Sequence, residues 1–165
     1  MTTAALAPER VRTLGLIASV GLRRHRGMVV PPWVMQVNVG LLRVPGLARP
    51  LVKTTRRAYA RMGFRKGTEA LTRDEIEIHA RIIGAIKFTE LRQLPGQITC
   101  KTVVTAAVDD RLIEPEIPRE MAQEFADARS MIFPSGGHNI QKSRARAIAA
   151  LLTEAYTAAL QIDSM

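Results

Sequence analysis

The spacing of apolar residues changes along the chain, and each change predicts a different kind of element. Leu14, Leu16, Ile17 and Val20 form a nearly continuous apolar stretch ending at Gly21. Such a run suits a strand, Leu14 to Val20, buried on both faces of a parallel sheet. A polar turn at Pro8-Glu9-Arg10 precedes it, and a basic loop from Arg23 to Gly27 follows it. From Pro31-Pro32 onward the spacing is helical. Trp33 to Val44 predicts one helix with Pro32 in its first turn, and Leu47 to Met62 a second, stopped by Gly63. A third starts at Thr72, whose hydroxyl caps the helix while Glu75 reaches back. Its stripe of Ile76, Ala80, Ile83 and Phe88 carries it to about Leu94, where Pro95-Gly96 breaks it.

Beyond that break the pattern alternates. Lys101 to Val108 is β-branched and apolar, as a buried parallel strand requires. Pro115 to Phe125 is an amphipathic helix with Met121 and Phe125 on one side, and Arg129 to Phe133 is a short strand. Ile140 to Leu160 is a long Ala-rich helix, with Ile148, Leu151, Leu152 and Tyr156 at helical spacing. Strand, helix, strand, helix implies right-handed crossovers in a parallel sheet, an α/β fold. The chain divides into an α/β part, residues 1–30 and 95–165, and a strandless helical part, residues 31–94.

Composition narrows the function classes. No apolar run approaches the roughly 18 residues of a membrane span, and the N-terminus lacks the basic opening and cleavage site of a secretory signal. A single cysteine, Cys100, excludes an internal disulfide framework and CxxC metal chemistry. It reads as a small apolar residue before a strand and fits a reducing, cytoplasmic setting. The net charge of +9 is unevenly placed: residues 1–67 hold thirteen Lys or Arg against one acid, Glu9. That asymmetry reads as a solvated basic face, or as a surface for an anionic ligand or partner. With one Trp and two Tyr, the aromatic platforms of a nucleic-acid reader are lacking.

The chemistry concentrates at strand ends. Asp109 and Asp110 close one predicted strand and His138 follows the next, where loops of an open parallel sheet converge. A histidine that takes a hydroxyl proton needs a buried carboxylate to fix its tautomer, and neighbouring strand ends supply that pairing. "TAAVDDRL", residues 105–112, resembles the segment of α/β-hydrolases in which a strand ends Gly-x-x-Asp before Arg-Leu. "FPSGGHNI", residues 133–140, resembles the loop in which Gly precedes the triad histidine. "PERVRTLGLIASVG", residues 8–21, resembles the strand after the nucleophile helix. The resemblance implies that Asp110 is the triad acid, Asp109 its variable neighbour and His138 the base. It also implies that residues 31–94 are an inserted all-helical cap, or lid, on the C-terminal part of the fold, with about three parallel strands.

The family's nucleophile sits in Gly-x-Ser-x-Gly, on a tight strand-to-helix turn. No such motif occurs in the sequence. Ser19 in "IASVG" is the nearest approach, although Ile17 stands in place of the first Gly and no helix follows directly. Ser135 shapes the histidine loop, His25 reads as a surface residue among arginines, and His79 lies in a cap helix. Neither His25 nor His79 has metal-ligand spacing, and no cofactor is implied. Three strands leave Leu14 to Val20 as an apolar edge, which soluble proteins avoid. The sequence therefore predicts the C-terminal portion of a truncated or split hydrolase acting on a small apolar ester or related acyl compound. Either an N-terminal half or a second copy would cover that edge. The alternative is an inactive remnant or binding module whose basic helices hold an anionic ligand or partner.

Overall fold

The apolar run that begins at Lys101 becomes the middle strand of a parallel sheet, and the other elements follow from its need to be covered on both faces. The computed structural model describes residues 1–28, 30–61 and 69–163. In chain order it contains α1 (Thr2–Leu6), β1 (Thr13–Ile17), α2 (Pro32–Leu42), α3 (Ala48–Arg61), α4 (Arg73–Gly84), α5 (Phe88–Leu91), β2 (Lys101–Ala107), α6 (Glu116–Gln123), β3 (Ala128–Phe133), α7 (Ile140–Ser143) and α8 (Ala145–Asp163). Two compact units result: Met1–Arg26 with Phe88–Met165, and Gly27–Lys87.

The first unit holds the sheet, in the order β1-β2-β3 with every pairing parallel. Leu16 lies opposite Val104, and Val104 opposite Ser130. In β2, every residue from Thr102 to Ala107 is buried. Side chains of alternating parity point to opposite faces. Val104 therefore packs with Leu16, Ile98, Met121 and Phe125, while Ala107 packs with Phe133, Ile140 and Ile148. Val104 is 0% exposed, and burial of a side chain of that size contributes about 1.5–3 kcal/mol. β1 is an edge strand of this sheet.

In the second unit, Leu42, Ile76 and Ala80 are buried in the helix packing. The predicted capping box at α4 is present: Thr72 Oγ1 accepts from Glu75 N–H, and Glu75 Oε2 accepts from Thr72 N–H at 2.7 Å. α2 is apolar except for Gln36 and Asn38, and Trp33 (68% exposed), Val37 and Leu41 on it are exposed, as is Val44 just beyond its end.

Several boundaries differ from the sequence reading. β1 stops at Ile17 rather than Val20, because Ala18 takes a left-handed conformation at φ 46°. The long helix predicted from Thr72 to Leu94 ends at Gly84, and Phe88–Leu91 forms a separate short turn of helix. The C-terminal helix is likewise interrupted, at Arg144, with a φ of −123°. Tyr156, expected on the apolar stripe of α8, is 47% exposed. The proposed stop at Gly63 lies outside the described residues.

Candidate active site

Adjacent parallel strands end side by side, and that alone brings the carboxyl ends of β2 and β3 together. After β2 the chain turns tightly, Asp110 N–H donating to the Ala107 carbonyl at 3.2 Å. Asp110 then folds its carboxylate back over the following residues. Its Oδ1 accepts from Leu112 N–H at 2.8 Å and from Ile113 N–H at 3.1 Å. This is the local side-chain-to-backbone turn that Asp favours. Its Oδ2 accepts from His138 Nδ1–H at 3.0 Å. Asp110 is 1% exposed and is the one charged side chain that is fully buried among the described residues.

These bonds set the protonation chemistry. Burial opposes ionisation of Asp110, but the bonds from His138, Leu112 and Ile113 to its charged form outweigh it. Its pKa accordingly lies below the usual carboxylate value. Since a carboxylate can only accept, His138 carries its proton on Nδ1, and proton uptake falls to Nε2. The His138 side chain is 30% exposed, whereas the Asp110 carboxylate is sealed. The arrangement is a buried, ionised acid orienting a histidine that reaches toward solvent.

The loop carrying His138 is held by Asp109 and by Arg144, the second of which no sequence motif marks. Asp109 Oδ1 accepts from Gly136 N–H at 2.9 Å and from Gly137 N–H at 2.8 Å. Gly137 has φ +64°, a conformation that side chains rarely adopt. Arg144 donates to the Ser135 carbonyl at 2.9 Å and to its Oγ at 2.7 Å, and stacks over the Phe133 ring at 5.7 Å. Ser135 does shape the histidine loop, as expected, and Arg144 is the residue that holds it there. Asp109→Ala removes a charge-assisted acceptor shared by two backbone donors, worth about 1.5–3 kcal/mol. The expected result is a Tm lowered by several degrees, measured by calorimetry, with the helical content unchanged.

The remaining residues singled out from sequence are placed elsewhere. Ser19 follows β1 in a loop, and the left-handed backbone falls on Ala18 instead of on the serine. Cys100 precedes β2 half-buried, and burial pushes its thiol up. His79 is exposed on α4, its ring 6.1 Å from that of Tyr59. His25 is not the surface residue it seemed: it is part-buried, with Nδ1 2.9 Å from the Leu112 carbonyl. Among the described residues, no cluster of three His, Cys, Asp or Glu side chains could hold a metal ion. No helix among them is long and apolar enough to cross a membrane.

No family model matches the chain, and no curated protein sequence matches it. Solved structures do. The chain is similar over 94% of its length to the enol-lactonase from Burkholderia xenovorans LB400, with a TM-score of 0.63 and 22% identity. A hydrolase from Oleispira antarctica is similar over 93% of the chain, with a TM-score of 0.64 and 15% identity. An esterase from Exiguobacterium antarcticum is similar over 88%, with a TM-score of 0.56 and 14% identity. The chain covers 60%, 59% and 57% of those three proteins respectively, less than two thirds of each. Identities this low speak to fold alone. The parallel β1-β2-β3 sheet, its flanking helices and these neighbours together show that the chain has the α/β-hydrolase fold.

Proposed function

We propose that this chain supplies the acid–base half of an α/β-hydrolase acting on an ester or related acyl compound. The observation that carries the reading is the buried Asp110 carboxylate, with Oδ1 held by two backbone N–H groups and Oδ2 on His138 Nδ1 at 3.0 Å. In this reading His138 Nε2 takes the proton of an attacking hydroxyl and later returns it to the leaving group. Asp110 fixes the tautomer and stabilises the imidazolium that forms. The nucleophile, a serine in this reading, comes from a segment outside these 165 residues, carried by a strand that pairs with the free edge of β1. A second copy of the chain is the other partner that could cover that edge. The Gly27–Lys87 unit serves as the cap. A cavity of about 300 Å³ within it, lined by Met35, Leu42, Leu51, Ala58, Tyr59 and Ile76 among others, suits an apolar acyl or alcohol group. The enol-lactonase and the esterase among the structural neighbours act on bonds of this class by their names.

The test is reconstitution. The chain is co-expressed with the N-terminal part of a related hydrolase carrying Gly-x-Ser-x-Gly. The complex is then assayed on short nitrophenyl esters and labelled with a fluorophosphonate. Ester turnover and labelling that both require this chain are the expected result. Absence of both with every partner tried sinks the reading.

One observation favours the non-catalytic alternative enough to keep it. On α3, Arg49, Lys53, Arg57 and Arg61 recur every four residues and are all exposed, with no acid anywhere in the helix. A helix face of that kind suits an anionic ligand or partner. Under this reading, binding to anions weakens steeply with added salt and is indifferent to Asp110→Asn.

A further inference from the structure

The loop between Gly21 and Arg26 reaches across to the turn that carries Asp110, and is tied to it by side chains that the proposed chemistry does not use. Gly21 has φ +71°, and a Cβ there would lie 2.2 Å from Ile117 Cγ2, so only glycine lets the loop approach so closely. Arg23 then makes a two-bond pair with Glu120, Nε to Oε2 at 2.6 Å and Nη2 to Oε1 at 2.8 Å. Arg26 N–H donates to both Glu114 carboxylate oxygens at 3.0 Å, and the Arg26 guanidinium donates to the backbone carbonyl of Asp110 itself. Between them sits His25, with Nδ1 2.9 Å from the Leu112 carbonyl. A carbonyl only accepts, so His25, like His138, carries its proton on Nδ1.

The Leu112 carbonyl and the Ile113 N–H belong to one planar peptide unit. His25 donates to its oxygen, and its N–H donates to Asp110 Oδ1 at 3.1 Å. The other oxygen of that carboxylate receives His138 Nδ1–H. The bonds therefore form one chain: His25, a peptide unit, Asp110, His138. His25, donating to the peptide oxygen, polarises that peptide and strengthens its N–H bond to Oδ1. With Oδ1 held, the carboxylate stays turned with Oδ2 toward His138. The geometry points to His25 as a positioning residue of the active site, acting through the Leu112–Ile113 peptide to hold the Asp110 carboxylate in register with His138. The loop after β1 is then a brace on the acid, with Arg26 fixing the acid's own backbone. This assignment takes its catalytic meaning from the hydrolase reading, but its physical content does not depend on it.

The charged groups around His25 bear on how it responds to pH. Burial lowers its pKa, opposed by the bond to Leu112, and by Glu114 and Asp110, while His138 adds to the lowering. Arg23, Arg24 and Arg26 flank it on its own loop. As pH falls below its ordinary value of 6.5, His25 takes a proton on Nε2 and becomes a stronger donor at Nδ1. The Ile113 N–H should feel that change directly.

The whole chain can be tested by NMR without any nucleophile. In the wild type, nitrogen shifts should place the neutral His25 proton on Nδ1, and the Ile113 amide proton should move downfield along the His25 titration. His25→Phe keeps a ring in place but removes the donor. The Ile113 response should vanish, and with the carboxylate freer to turn away, the His138 Nδ1 proton should exchange with water several-fold faster. His25→Asn, whose amide can donate from nearly the same position, should restore slow exchange. A wild-type His25 proton on Nε2, or unchanged His138 exchange in His25→Phe, overturns the assignment. So does a failure of His25→Asn to rescue. Loss of ester turnover in the reconstitution leaves these outcomes standing, so the two readings fail separately.

Discussion

In the reconstituted hydrolase, Asp110→Asn is expected to lower kcat by about 10⁴-fold, and His138→Ala by about 10³- to 10⁴-fold, with KM little changed. The asparagine result follows from the way the carboxylate is held. Leu112 N–H and Ile113 N–H both point at Oδ1, so the position must be filled by an acceptor. In asparagine the amide oxygen takes that place and the NH₂ group faces His138. The ring must then accept at Nδ1, which moves its proton to Nε2, the nitrogen that has to receive the hydroxyl proton. The site keeps its shape and loses its base. His138→Ala removes the base outright, leaving only binding and whatever oxyanion stabilisation the partner segment supplies. Turnover of a nitrophenyl ester by each variant, at saturating substrate, checks both. Wild-type kcat in either variant removes His138 and Asp110 from the mechanism.

The second large effect is on stability. Asp110→Ala should lower the unfolding free energy by about 3–5 kcal/mol, out of the roughly 5–15 kcal/mol typical of a domain. It strands two backbone donors and a histidine N–H around a buried site at once. Urea unfolding should show this as a lower midpoint. The pH dependence has a defined sign. Asp110 has a lowered pKa in the fold, so its contribution is present above the ordinary value of 3.8 and is lost as pH falls through the folded value. His25 is also lowered, so its protonation favours the unfolded chain, and stability starts to fall below 6.5. The wild type should therefore lose stability in two stages on acidification. Asp110→Ala should show a smaller lower stage, the remainder coming from Glu114, Glu120 and the other carboxylates with lowered pKa, and His25→Phe should lack the upper. A wild type equally stable at pH 7 and pH 4 contradicts the His25 assignment, and one whose stability does not fall on further acidification below 3.8 contradicts that of Asp110.

Most of the fold could be read from local pattern. Runs such as Lys101–Ala107 are apolar and β-branched because a central parallel strand is covered on both faces. Thr72 and Glu75 announce the start of α4 because a capping box satisfies backbone donors within four residues. Asp110 and His138 stood out because each closes a strand, and strand ends are where an open sheet gathers side chains.

Other features depend on contacts that no local pattern encodes. β1 and α4 end earlier than their apolar runs, β1 at the left-handed backbone of Ala18 and α4 at Gly84. Asp109 resembles its neighbour Asp110 in sequence, yet one carboxylate faces two glycine N–H groups and the other faces a histidine. His25 sits among arginines, a context that reads as surface. It is the approach of its loop to the Asp110 turn, across 87 residues of sequence, that buries it. The sequence by itself determined the α/β class, the run of helices after β1, and the acid and histidine at adjacent strand ends. These are the features that periodicity, capping and strand order write into short segments. Only the tertiary structure decided which oxygen of Asp110 serves His138, what braces the acid turn, and that Asp109 pins the histidine loop. Those outcomes rest on hydrogen bonds between distant segments, and the energy of each depends on burial and direction that a linear pattern does not contain.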